Sequence, residues 1–144
     1  MSSPKVLHAD DDSLTIHGAG DVYRYLATGA ETDGTYFAMH ALVPPGGGPP
    51  PHIQNREEEG FYVLEGRVTF WVEGERQEVG KGGFVHVPKG IVHNFKNESD
   101  EDAQMMIWFA PAGIELMFNE LFRAAPEDFA EIGARYGVEF VGGE

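Results

Sequence analysis

An all-β barrel followed by two short helices is the fold class that this 144-residue sequence predicts. Two observations carry it. Nineteen glycines and nine prolines stand mostly between short β-rich runs, which is how a barrel with many tight turns is punctuated. After residue 112 the apolar period changes from alternation to the spacing of a helix.

The strand candidates, in order, are 14–17, 22–28, 35–43, 51–54, 59–64, 67–73, 76–79, 84–87, 92–96 and 104–110. Asp33-Gly34 and Glu73-Gly74 offer positive-φ residues for hairpin turns, and Glu65-Gly66 offers the same between two of the strongest strands. The run Met105-Met106-Ile107-Trp108-Phe109 is apolar on both faces. It should be covered by the barrel on one side and by a helix or a partner chain on the other. Beyond it, Ile114, Met117, Phe118, Leu121 and Phe122 form the stripe of an amphipathic helix. Pro126 suits the first turn of a second helix, whose Phe129, Ile132 and Tyr136 share a face and which Gly137 stops. Both helices are expected on the barrel's outer face or across one mouth.

Size and charge narrow the function. A chain of this length buries about two-thirds of the surface its unfolded form exposes, which suits one core. No internal repeat suggests a second unit, and the Pro/Gly run at 44–51 is the one low-complexity stretch. With no cysteine there is no disulfide and no thiolate metal site, so a metal would rest on His, Glu, Asp or Gln. Twenty-four acidic against ten basic residues give a net charge of −14, which repels nucleic-acid phosphates and anionic membranes. No apolar leader and no membrane-length stretch is evident, so a cytoplasmic protein is the expectation.

Two ordered motifs carry the chemistry. The first reads His52, Gln54, Glu59 and Gly66 and follows G(X)5HXH(X)3-4E(X)6G, except that Gln54 stands in the second His position. The second, from Gly82 through Pro88, Gly90 and His93 to Asn97, fits G(X)5PXG(X)2H(X)3N at every specified position. Strand alternation places His52 with Gln54 on one face, and Glu59 with Phe61 and Val63 on another.

Together the motifs resemble the cupin superfamily, and the flanks Tyr23–Gly29 and Arg135–Phe140 are similar to single-domain cupins of the quercetin 2,3-dioxygenase-like group. The resemblance implies a double-stranded β-helix, or jelly-roll barrel. It implies one cupin domain over 1–144, with a motif core at about 42–110 and a helical segment at about 112–137. It further implies one divalent transition metal (Fe, Mn, Ni, Co, Cu or Zn) held by His52, Glu59 and His93. Gln54 would be a fourth, weaker ligand or a hydrogen-bonder, so that the metal is weakly held or absent. Two His and a carboxylate are the donor composition of non-haem Fe(II) oxygenases. Glu59 would be ligand, general base or each in turn.

The activity implied is that of a dioxygenase on an aromatic, flavonol-like or enolisable small molecule. The alternatives are a non-catalytic binding cupin, or an isomerase or lyase using the same ligands without O2. Tyr36, Met39, Phe61, Phe95 and Trp108 are candidate pocket walls. His40 and His86 are expected to face outward, and Glu57 and Glu58 to be solvated. A homodimer is expected, with a small-molecule ligand and neither nucleic-acid nor membrane partner.

Overall fold

Alternation along short strands, rather than any long apolar run, builds the interior. The computed structural model describes residues 3–141. Its strands are β1 (Thr15–Gly18), β2 (Asp21–Ala27), β3 (Phe37–Val43), β4 (His52–Gln54), β5 (Glu58–Glu65) and β6 (Arg67–Val72). They continue with β7 (Glu75–Gly80), β8 (Phe84–Val87), β9 (His93–Lys96), β10 (Ala103–Ala110) and β11 (Val138–Phe140). One antiparallel sheet runs β1-β2-β3-β10-β5-β8, and the other runs β11-β4-β9-β6-β7. This is the two-sheet jelly-roll arrangement that the resemblance implied.

On β3, Phe37, Met39, Ala41 and Val43 are buried while the residues between them are half-exposed, and β10 repeats the pattern with Met105, Ile107 and Phe109. Phe61 and Val63 on β5 and Phe70 and Phe95 from the other sheet complete the same core. Their rings meet edge-on or tilted, with Phe61 centroids 5.0 Å from Phe70 and 5.8 Å from Phe95. Such offset arrangements are the favourable ones for aromatic pairs.

The turn residues divide by role. Glu73 (φ 52°) and Gly74 (φ 83°) make the expected two-residue hairpin between β6 and β7. Ala19 and Gly20 do the same between β1 and β2, a hairpin that Ala-Gly does not advertise. Asp33 and Gly34, expected in a hairpin, instead end a short helix, α1 (Gly29–Thr32), in left-handed conformation. Gly66 also has positive φ, but β5 and β6 lie in different sheets, so Glu65-Gly66 is a crossing between sheets and not a hairpin. A Cβ there would stand 2.7 Å from the Asp102 carbonyl oxygen, which explains the motif glycine by packing as well as by φ.

Both C-terminal helices form, as α2 (Ile114–Leu121) and, after a 3-10 turn at Pro126–Asp128, α3 (Phe129–Arg135). Helix α2 lies across a barrel mouth. Phe118 stacks at 6.2 Å on Tyr23 and meets Phe109 edge-on at 5.8 Å. Buried Glu115 ties the start of α2 to the start of α1, accepting hydrogen bonds from the Gly29 and Gly113 amides at 2.6 and 2.7 Å.

The chain then returns as β11, which the sequence pattern does not reveal. It pairs with β4 in the register Val138↔Gln54, Glu139↔Ile53 and Phe140↔His52. The outward residues of β10 are half-buried. Trp108 lies over Gly60, where a Cβ would meet its ring at 2.3 Å. Tyr62 and Phe84, cross-strand partners on the same outer face, remain exposed.

Candidate metal centre

The two histidines come from one sheet and the acid from the other. His52 on β4 and His93 on β9 are direct cross-strand partners, with ring centroids 4.4 Å apart. Glu59 on β5 reaches across the barrel interior, its Oε1 lying 2.9 Å from His93 Nε2. One ligand atom from each of His52, Glu59 and His93 lies within 4.8 Å of the others, which is a spacing able to hold a metal ion. Gln54, two residues beyond His52 on the same face, places Oε1 3.0 Å from His52 Nε2.

Backbone carbonyls fix the imidazole tautomers. His52 Nδ1 lies 2.9 Å from Pro50 O and His93 Nδ1 2.9 Å from Ile91 O. A carbonyl only accepts, so both Nδ1 atoms carry hydrogen and both Nε2 atoms turn toward the centre. Burial, and then the neighbouring His93, lowers the His52 pKa. Its Nε2 is therefore a bare lone pair.

Burial also opposes charge on His93, but the hydrogen bond and charge of Glu59 outweigh it and raise the pKa. A proton on His93 Nε2 thus reconciles it with Glu59. Three acceptors converge here, the His52 Nε2, the Glu59 carboxylate and the Gln54 Oε1, and the His93 Nε2 becomes a fourth once its proton leaves. Such a set asks for a cation, and the donors fit a divalent transition metal. Gln54 Nε2 is buried without a hydrogen-bond partner. Turned by half a rotation, that amide would donate to His52; as it stands, its oxygen joins the acceptor set.

A cavity of about 150 Å³ adjoins this cluster. His52, Gln54, Glu59 and Tyr23 are its polar lining, and the remainder is apolar, including Met39, Phe61 and Phe95 as expected. Tyr36 and Trp108 do not join it. Tyr36 is exposed in the loop before β3, and Trp108 points outward because it alternates with inward Ile107 and Phe109. His40 and His86 also point outward, toward Gln104 at 3.0 Å and Glu58 at 2.6 Å.

Besides Glu115, two buried acids were not anticipated. Glu57, expected in solvent, is 3% exposed, and burial followed by the charge of Glu59 raises its pKa to about 7. Its parity with Glu59 and Phe61 is the signal that places it inward. Asp21 is 1% exposed and accepts a 2.7 Å hydrogen bond from Tyr23 OH. Burial lifts its pKa to about 7 against the opposing effect of that bond. Helix α2 adds Ile114, Met117, Phe118 and Leu121 to the cavity wall.

Residues 39–109 match the family model described as Cupin domain. The chain is 30% identical over 96 residues to a quercetin 2,3-dioxygenase of Bacillus subtilis, covering 67% of this chain and 28% of that protein. It is 31% identical over 110 residues to the polyketide synthase CurC of Streptomyces cyaneus, covering 75% and 70% of the two chains. Among solved structures, KdgF from Halomonas sp. superposes with a TM-score of 0.67 at 17% identity, over 80% of this chain and 99% of that one. The chain belongs to the cupin family. It spans well under half the length of the quercetin dioxygenase it matches.

Proposed function

We propose that this chain is a metal-dependent oxidoreductase of dioxygenase type, acting on an aromatic or enolisable small molecule in the barrel cavity. The observation that carries the reading is the clustering of ligand atoms from His52, Glu59 and His93 within 4.8 Å of one another, with Gln54 Oε1 beside His52. His52, Glu59 and His93 would hold the metal, and Gln54 would be a fourth, weaker donor. Similarity to a quercetin 2,3-dioxygenase and to a probable oxidoreductase of Hypocrea virens supports redox chemistry over isomerisation or simple binding.

The metal, when bound, would supply Lewis acidity and an open position for substrate or O2. Glu59 would take a substrate proton, since it lines the cavity and meets His93 through Oε1. The apolar walls exclude bulk water from that proton transfer. The same reading includes a homodimer, supported by the uncovered outer face that carries Tyr62 and Phe84.

The test is elemental analysis of protein purified without a chelating tag, followed by O2 uptake with candidate aromatics. A stoichiometric transition metal and substrate-dependent O2 consumption are expected. Turnover without O2 would move the assignment to an isomerase or lyase, and failure to bind any metal would end it.

A further inference from the structure

The cavity's volume and its few polar groups define a class of ligand more narrowly than the fold does. At about 150 Å³ it matches the space that takes up a single benzene-sized ring in an apolar core. One ring of a three-ring flavonol would fill it, so the other rings would have to lie outside the cavity or displace its walls. The walls suit a ring. Phe61, Phe95 and Phe109 stand on the strands, and Phe118 and Phe122 close the α2 end with their rings stacked 5.5 Å apart.

The polar lining suits a hydroxyl group at one end of that ring. Glu59 uses Oε1 for His93, and its carboxylate retains capacity to accept a ligand proton. Gln54 borders the same cavity, and its buried Nε2 has a hydrogen to give and no partner. A hydroxyl both donates and accepts, which a hydrocarbon or a bare carbonyl cannot do. Tyr23, whose own hydrogen goes to Asp21, has only lone pairs to offer toward the cavity.

We propose that the cavity selects a single-ring phenol, its hydroxyl served by Glu59 and Gln54 and its ring held among the phenylalanines, and that it excludes flavonols. This deepens the reading above by naming the substrate class of the same site. It is tested by ligand binding, whose outcome does not depend on turnover.

Isothermal titration of phenol, catechol, benzene and quercetin would be made into metal-free protein and again with Zn²⁺ present. Phenol and catechol should bind at one site per chain, at least as tightly as benzene and at least tenfold more tightly than quercetin. Benzene binding without phenol binding would overturn the proposal, because a hydroxyl is excluded only from a site that does not serve it. Quercetin binding as tight as phenol's, or no binding by any ring compound in either form, would overturn it too.

Phe122→Ala removes a wall at the α2 end and should raise quercetin affinity at least tenfold. Leu121→Phe, which narrows the cavity, should weaken phenol. Unchanged discrimination in both, with circular dichroism matching the parent, would show that the walls do not set the limit and would also overturn the proposal. A metal-binding failure alongside intact phenol selection would sink the oxidoreductase reading alone.

Discussion

Replacing Gln54 by His tests the donor assignment most directly. Gln54 Oε1 stands 3.0 Å from His52 Nε2, and its Nε2 is buried without a partner, so the amide serves the cluster only through a neutral oxygen. An imidazole at the same strand position keeps the register Val138↔Gln54 and the site's charge while supplying a stronger donor for first-row metals. We expect affinity for Mn, Co, Ni or Zn to rise at least about tenfold, equivalent to roughly 1.4 kcal/mol.

That gain appears as stability only when metal is present, because metal held by the folded state alone stabilises it by mass action. For a chain of this size, about 1.4 kcal/mol is about 3–6 °C in Tm. Without metal no gain should appear, since a third imidazole would enter a site where burial already disfavours charge on His52. The assays are chelator competition and thermal unfolding with and without saturating Zn²⁺. Equal affinity in parent and variant, or the same Tm change in both conditions, would refute the assignment of position 54 to the metal. If substrate or O2 uses the position that Gln54 leaves open, turnover should fall even as affinity rises, because the imidazole competes for it.

Three further outcomes follow from the same structure. His93→Ala should abolish metal binding yet retain the strand signal in circular dichroism. It should also cost the metal-free protein about 3 kcal/mol in urea unfolding, because Glu59, with its side chain 5% exposed, loses its partner. Between about pH 4 and 7 the native state holds protons on Asp21 and Glu57 that the unfolded chain has released, so stability should fall as pH rises through that window. The distance from 3.8 to about 7 at Asp21 corresponds to at most about 4 kcal/mol, and Asp21→Asn should flatten its share of the slope in pH-dependent urea titrations. Light scattering should give a dimer mass, and a mass near 15.8 kDa at every concentration would refute pairing.

What the sequence reveals of this site is what motif spacing and strand parity carry. His52, Gln54, Glu59 and His93 could be placed together because each lies in a spaced pattern on a strand whose alternation is regular. Asn97 belonged to the same pattern, yet its role is the turn. It is fully buried and donates to the Val43 and Glu101 carbonyls while accepting from Ser99. Motif membership therefore reports a constrained position without saying whether chemistry or folding constrains it. Glu57 shows the converse. Its parity pointed inward, but two neighbouring acids made the run Glu57-Glu58-Glu59 read as a solvated edge. Composition misled where alternation would have served.

Long-range pairing is the part that local signals do not carry. The residues Glu65-Gly66 look like a hairpin turn because a positive-φ glycine serves a tight turn and a crossing between sheets equally well; only the partners of β5 and β6 decide. Likewise β11 is three residues long and follows a helix-stopping glycine, so nothing nearby distinguishes it from a frayed tail. Its consequence is nonetheless at the site, since Phe140 pairs with His52 and Val138 with Gln54. The β4 side of the sheet is thus covered by β11. An unpaired edge at β4 would leave a three-residue strand held by the single register pair His52↔His93, too little to hold two donors in line. The geometry at the centre of the barrel therefore depends on a segment that the motifs never reach.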